Sequence, residues 1–337
     1  MKKLITTILI ILLGYGANCA AAEITLKYAC HTSNGDEFAR LVTDPFFADI
    51  TRATDGRVIF EPYYNESLLK YDELWDGVAS GAADAGLVIS PFYAERTPLT
   101  NVMDLPTLPQ NGSAAEHAGA MWRIYEKYPE MQAEYLEQGL RPLMFISTSP
   151  EYLFTSRPVA SLEDLKDIQL ISDSRLVVKQ FEFFDSANIR FGQLYEIFEL
   201  TSQEAFGFIA PMENFILWNL GQATPYATVA PLSTTYIVIA MSEQRYRALP
   251  AEIREQIMDA AGETASRRYS AAYADHFVET ASRGSNGPTF IVLAPEERQR
   301  WVDLNQPLVD EWLAACKDKG LGDIARKIYA DFEENDF

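Results

Sequence analysis

The sequence is short of the residues that carry most protein chemistry. It holds three histidines and three cysteines, and its 28 basic residues are outnumbered by 48 acidic ones. His31, His117 and His276 are too scattered for a metal centre built on closely spaced ligands. His276 and Glu279 share a helix face three residues apart, and such a lone pair reads as a solvated contact. There is no glycine-rich phosphate loop, no nucleophile elbow, and no spacing of Ser, His and Asp that singles out a triad. The residues therefore imply no cofactor, no metal site and no enzymatic chemistry. The acidic excess repels nucleic acid and anionic membrane surfaces and favours a soluble monomer.

Long hydrophobic runs are scarce too. The one that exists, Leu4–Leu13, follows Lys2 and Lys3 and precedes Ala20-Ala21-Ala22. A charged start, a short apolar run and a small-residue exit describe a cleavable secretory signal over residues 1–22, too short to span a bilayer. Cys19 follows Gly16-Ala17-Asn18, which suits lipid attachment poorly, so the expected product is free in the periplasm. Loss of Lys2 and Lys3 brings the net charge from −20 to about −22. Two cysteines remain, Cys30 and Cys316. They could pair in an oxidising compartment, but burial as two small apolar residues is the preferred reading. The remaining length suits two lobes better than one core.

What is present is an alternation of strands and helices, which argues for an α/β fold with mostly parallel sheets. Strands are expected at Ile24–Ala29, Arg57–Tyr63, Ala85–Ser90, Leu140–Ile146, Gln169–Ile171 and Thr289–Leu293. Helices are expected up to about Ala53, over Asp72–Ser80, after Ser113, over Val177–Phe184 and Gln193–Leu200, and after Pro295. Ala85-Gly86-Leu87-Val88-Ile89-Ser90-Pro91 has an echo in Phe206-Gly207-Phe208-Ile209-Ala210-Pro211. In open α/β sheets ligands sit beyond the carboxyl ends of strands, so two such ends could face each other across a cleft. Ala251 to Arg283 lacks proline and repeats apolar residues at helical spacing, which predicts one helix approaching thirty residues that could bridge two lobes.

Six short segments, in order, resemble a known family: the solute-binding subunits of tripartite ATP-independent periplasmic (TRAP) transporters, DctP-like. They are Arg52-Ala53-Thr54-Asp55-Gly56-Arg57-Val58, Ser80-Gly81-Ala82-Ala83-Asp84-Ala85-Gly86, Pro98-Leu99 with Asp104-Leu105-Pro106, Arg157-Pro158-Val159 with Leu162-Glu163-Asp164-Leu165-Lys166, Leu194-Tyr195-Glu196, and Leu249-Pro250 before the long helix. The resemblance runs from about Ile24 to Trp312. It implies a two-lobed periplasmic-binding-protein-like fold with hinge strands and a long helix spanning both lobes. Lobe one would be residues 23–147 and 236–275, and lobe two 148–235 and 276–337, with the last helices packing back across. It also implies capture of a small organic solute in the cleft and delivery to small and large membrane permease subunits. Presentation of the ligand to a membrane sensor kinase, and a secreted enzyme of unrecognised type, are the alternatives.

The sequence departs from the family where ligand chemistry is decided. The stretch that normally carries a carboxylate-gripping arginine reads Leu165-Lys166-Asp167-Ile168-Gln169-Leu170-Ile171-Ser172-Asp173, with Ile171 in the arginine's place. A second pocket arginine of some members falls at Glu151, and the family's "GQENP" is replaced by Gly207-Phe208-Ile209-Ala210-Pro211-Met212-Glu213-Asn214. Arg175 could reach in and restore the lost charge. Alternatively the ligand has no carboxylate, and Glu151 or Glu213 meets an amine or hydroxyl. Phe92, Tyr93, Tyr152 and Phe208 stand at expected cleft edges, where aromatic faces stack on rings or cover cations. The expected ligand set is completed by His31, Ser90, Asp173 and Asn214.

Overall fold

The computed structural model describes residues 23–106, 113–185, 187–192, 196, 205–284 and 287–334; of Ser90, Pro91 and Glu334 it describes the backbone alone. The secretory signal expected over residues 1–22 and most of the helix expected over Gln193–Leu200 therefore lie outside the described residues. The chain enters on β1 (Ile24–Ala29) and continues through α1 (Asp44–Ala53), β2 (Val58–Tyr63), α2 (Leu74–Ala79) and β3 (Ala85–Ile89). Single 3₁₀ turns at Ser90–Tyr93 and Thr100–Asp104 precede α3 (Ala114–Lys127), α4 (Pro129–Leu136) and β4 (Leu140–Ser147). A second sheet begins with β5 (Glu151–Thr155) and takes β6 (Gln169–Ser172), β7 (Asn188–Phe191), β8 (Phe206–Pro211) and β9 (Tyr226–Val229). Helices α5 (Arg175–Glu182) and α6 (Met212–Leu217) lie among these strands. β10 (Tyr236–Ser242) returns to the first sheet and is followed by α7 (Glu243–Ala248), α8 (Ala251–Ala260) and α9 (Gly262–Arg283). β11 (Thr289–Val292) rejoins the second, and α10 (Pro295–Leu304), α11 (Gln306–Asp318) and α12 (Gly322–Glu334) end the chain.

Two lobes follow from two sheets, ordered β2-β1-β3-β10-β4 and β11-β9-β5-β8-β6-β7. The second sheet has a parallel majority, three pairings of five, while the first is evenly split, a correction there to the mostly parallel plan expected. Five of the pairings are parallel, but β10 runs against β3 and β4, and β5 runs against β8 and β9. The antiparallel strands are those next to the interlobe links, where the chain leaves one sheet and enters the other. The echoing segments do occupy matching places. Each of β3 and β8 has one parallel and one antiparallel neighbour in the interior of its sheet. Gly86 and Gly207 are required there by close approach. A Cβ would stand 2.7 Å from Val78 Cγ2 in the first case and 2.6 Å from the Phe154 carbonyl in the second.

The expected single helix over Ala251–Arg283 is broken at Ala261 and Gly262 into α8 and α9. Gly262 takes φ +75°, a left-handed conformation that ends a helix and that glycine adopts without steric cost. The bend lets α9 lie along the open edge of the first sheet. Ser266 and Ser270, one turn apart, accept hydrogen bonds from the backbone N–H groups of Phe145 (3.1 Å) and Ser147 (3.0 Å) on edge strand β4. An edge that would otherwise template foreign pairing is thereby closed. Further along, Phe277 and Ala281 join Phe154, Phe208 and Ala227 in the core of the second lobe, so one helix is seated in both. The chain's last two helices pack on the first lobe. Trp312 and Cys316 of α11 and Phe332 of α12 share a core with α3 and α4, and Trp312 Nε1 donates to the Pro98 carbonyl at 2.7 Å. Cys30 and Cys316 are both free and buried.

Candidate functional site

Three strand ends of the first lobe deliver polar groups toward the second. β1 runs out at Cys30 and His31, β3 at Ser90, and β10 begins at Tyr236. On the other side β5 begins with Glu151, β6 ends before Asp173, and β8 ends before α6 with Glu213 and Asn214. The links between the sheets are short, residues 148–150 and 230–235, and they bind each other. Thr148 N donates to Thr235 O at 3.1 Å, and Glu151 N donates to Ser233 O at 3.2 Å. A cavity of about 230 Å³ opens beside this hinge. It is lined by Ser113 at the start of α3, Ser149, Glu151 and Tyr152 of the link and β5, and Ala274 and Asp275 of α9.

The sequence-derived ligand set divides once placed. Glu213 is buried and fully engaged: Ser149 N donates to its Oε1 at 2.7 Å, and the Ser149 hydroxyl donates to Oε2. Met212 N in turn donates to Ser149 Oγ at 2.8 Å. Burial pushes the Glu213 carboxyl up, and the Ser149 hydrogen bonds pull the other way. Glu213 thus fastens the hinge to α6 and has little left for a solute. Phe208 does not reach a cleft edge. It is fully buried, stacked on Phe154 at 5.0 Å. Tyr93 is a prop as well. Its ring packs on Trp75 at 5.1 Å, and its hydroxyl donates to the carbonyl of Tyr71 at 3.3 Å. Ile171 is wholly buried beside Phe154 and Phe208, so the position of the family's arginine presents no polar group at all.

The remainder stays accessible or unsatisfied. Glu151 is buried, and its Oε2 has no hydrogen-bond partner. Burial holds its carboxyl well above the ordinary range, and Asp173 and Asp104 push it further the same way. Asp173 keeps contact with solvent, yet surrounding protein raises its carboxyl too. Tyr152 is half-buried, with its phenol pushed up to about 12 by burial and then by Glu213. His31 is half-buried with Nδ1 unpartnered, and burial lowers its pKa, so its imidazole is neutral near pH 7. Phe92 is exposed and meets Tyr71 edge-on at 5.6 Å. Arg175, at the first position of α5, is exposed with its guanidinium 4.3 Å from the Phe191 ring centre. Asn214 is half-buried on α6, and Ser90 is placed by its backbone at the end of β3.

Asp104 was not among the expected site residues. It ends a 3₁₀ turn of the first lobe, is partly exposed, and has its carboxyl raised to about 8 by the protein around it. It acts electrostatically on Glu151 of the second lobe and on Tyr236. Its signal in the sequence was an acid beside Leu105-Pro106, in a segment quoted only as a family marker. Asp275 was missed because nothing in a helical pattern marks which charged position will border a hinge.

The model of one protein family, bacterial extracellular solute-binding protein family 7 (DctP), matches residues 32–315. The chain belongs to this family. The C4-dicarboxylate-binding periplasmic protein DctP of Vibrio cholerae is 21% identical over 315 residues, 90% of each chain. A TRAP periplasmic solute-binding protein from Desulfovibrio salexigens has the same fold, with TM-score 0.83 at 22% identity over 93% of this chain and 95% of that one. Another from Rhodoferax ferrireducens, solved with copurified benzoate, gives 0.76 at 20% identity over 92% and 96%. Family 7 membership makes this chain a solute-binding protein of transport and not an enzyme. No helix among its described residues is long and apolar enough to cross a membrane.

Proposed function

We propose that this family 7 protein works in the periplasm after loss of residues 1–22, closing its lobes on a small organic solute and handing it to the small and large membrane subunits of a TRAP permease. What supports the reading is the layout at the hinge. His31 and Ser90 follow strand ends of the first lobe, Glu151, Tyr152, Asp173 and Asn214 lie at or just beyond strand ends of the second, and Glu151 lines the hinge cavity with a buried oxygen unpaired. Phe92 and Arg175 are exposed and free to contribute on closure. Glu213, Tyr93 and Phe208 belong to the framework. Ligand stabilises the closed form of such a hinge, because only closure lets it touch both lobes. The relatives named for C4-dicarboxylates and benzoate are acid binders by name. Here Ile171 removes the usual anion grip, so simple dicarboxylates should bind weakly.

A thermal-shift panel of acids, amines, polyols and aromatic metabolites tests the reading. A solute at about a hundredfold excess over its dissociation constant should add about 2.7 kcal/mol of stability. A panel in which no compound moves the transition would sink the proposal, and tight binding of succinate or malate would sink the part resting on Ile171.

A further inference from the structure

The mouth gathers carboxyl groups without a basic partner. None of the ion pairs among the described residues includes Asp104, Glu151, Asp173 or Glu213. Every lysine and arginine beyond residue 22 is among the described residues, so none is concealed nearby. The hinge cavity has two carboxylates in its lining, Glu151 and Asp275, and no Lys, Arg or His. Asp275 is exposed on α9 and unpaired. Glu151 is the decisive group. It is only 4% exposed, lines the cavity, and leaves Oε2 with no donor, while the nearby Thr234 hydroxyl is also buried and unpartnered. The Ser233 hydroxyl favours the ionised form of Glu151 but leaves Oε2 unfilled, and a buried carboxyl oxygen short of donors is costly unless a ligand supplies the missing partner. No group of three His, Cys, Asp or Glu side chains is close enough to hold a metal ion among the described residues. An organic cation brings N–H or N–CH₃ groups to such an oxygen, and exposed Phe92 and Tyr71 add aromatic faces on the first lobe.

We propose that the solute carries a positively charged nitrogen, which Glu151 of the second lobe grips at the hinge cavity as the lobes close. This rests on the solute-binding reading above and names its ligand class. Binding should draw the raised carboxyl of Glu151 back to the ionised state and release a proton.

Two matched pairs decide it by thermal shift and calorimetry near pH 7.5: benzylamine against benzoate, and putrescine against succinate. At least one amine should raise Tm by about 5 °C at about a hundredfold excess over its Kd, with its acid counterpart silent. Glu151→Gln should weaken that amine by at least about thirtyfold, because a desolvated charge pair loses one member. The Tm of ligand-free Glu151→Gln should not fall, which separates lost recognition from lost folding. Benzoate or succinate stabilising while the amines are silent would leave a solute site and overturn the cation assignment. Silence of both amines overturns it too, and the wider panel then decides separately whether the cleft takes any solute. An amine bound equally by wild type and Glu151→Gln would overturn the role of Glu151.

Discussion

Glu213 and Glu151 stand at the same end of the second sheet, Glu151 opposite Pro211 in the register and Glu213 two residues further on, yet their surroundings are opposite. Glu213 is met by the N–H and O–H of Ser149, and through Ser149 it ties the link between lobes to the start of α6. For Glu151, burial and then Asp173 and Asp104 oppose the ionised form, and only the Ser233 hydroxyl favours it. The rear of the first lobe repeats the first solution. Glu134 is buried there and accepts from Leu99 N (2.5 Å), Thr100 N (3.0 Å) and Thr100 Oγ1 (2.7 Å). Frame carboxylates are therefore saturated with neutral donors from the chain itself, and mouth carboxylates are left short. The difference lies in donors, not in burial, and it separates residues that hold the hinge from residues that wait for a partner.

Removing a saturated carboxylate breaks the comparison hardest. Glu213→Ala strands a buried Ser149 N–H and hydroxyl and opens a void at the hinge, at a cost of about 3 kcal/mol. Urea unfolding of wild type and variant measures it, and a loss below about 1 kcal/mol would place Glu213 outside the frame. Replacing the unsaturated one should do the reverse. Glu151→Met keeps the volume and removes an orphaned polar group, so ligand-free stability should rise by about 1–2 kcal/mol while solute binding is lost. A drop in stability would show that Glu151 is held by partners of its own.

Much of the frame was legible in the sequence because it is written in periodicity and turn chemistry. β1 and β8 fall where alternation and glycine placed them, and α3 begins at Ser113 because Ser113 and Glu116 form a reciprocal cap. Gly262 lies within a helical pattern of apolar residues, yet glycine can also end a helix, and only its positive φ tells the two apart. β5, β7, β9 and β10 were not marked as strands, because each is short or sits beside an interlobe link and is fixed by partners far away in sequence. The site was legible in part. Counting along a family motif located Glu151, but the same counting cannot say which of two nearby glutamates will find donors. That depends on whether a hydroxyl such as Ser149 folds back onto it. Asp104 and Glu151 are 47 positions apart, and only packing of the two lobes brings them into electrostatic reach.

The two regions should also separate by pH. Burial raises Glu134 to about 7 and Asp104 to about 8, so the folded protein keeps protons that the unfolded chain gives up above about pH 4. A raised carboxyl stabilises the fold at low pH, and that contribution is lost as pH climbs to the folded value. Stability of the ligand-free protein should thus decline from about pH 5 to about pH 8, each group adding at most about 1.4 kcal/mol per pH unit and Asp104 less, since it is partly exposed. Glu134→Gln should flatten the part below pH 7, and Asp104→Asn the part between pH 7 and 8. Unfolding curves across that range check it. A slope that rises with pH would contradict the burial assigned to both groups.

The smallest expected effect is the most discriminating. Arg175 opens α5 in the open, with its guanidinium over Phe191 and no carboxylate in contact. An exposed cation–aromatic contact contributes about 0.5 kcal/mol, so Arg175→Ala should leave stability within that margin. Its effect on binding depends on the ligand's charge. If an anionic group must be held, Arg175 is the cation expected to hold it, and its loss should remove binding altogether. If the solute is gripped through a positive nitrogen, the guanidinium only opposes it at a distance, and salt at physiological strength screens most of that repulsion. Arg175→Ala should then bind the amine as well as wild type or up to about threefold tighter, a change of about 0.6 kcal/mol. Calorimetry of this variant beside Glu151→Gln, with the same amine, gives opposite orders under the two chemistries. A large loss in Arg175→Ala with none in Glu151→Gln would move the binding charge from the strand end of β5 to the first turn of α5.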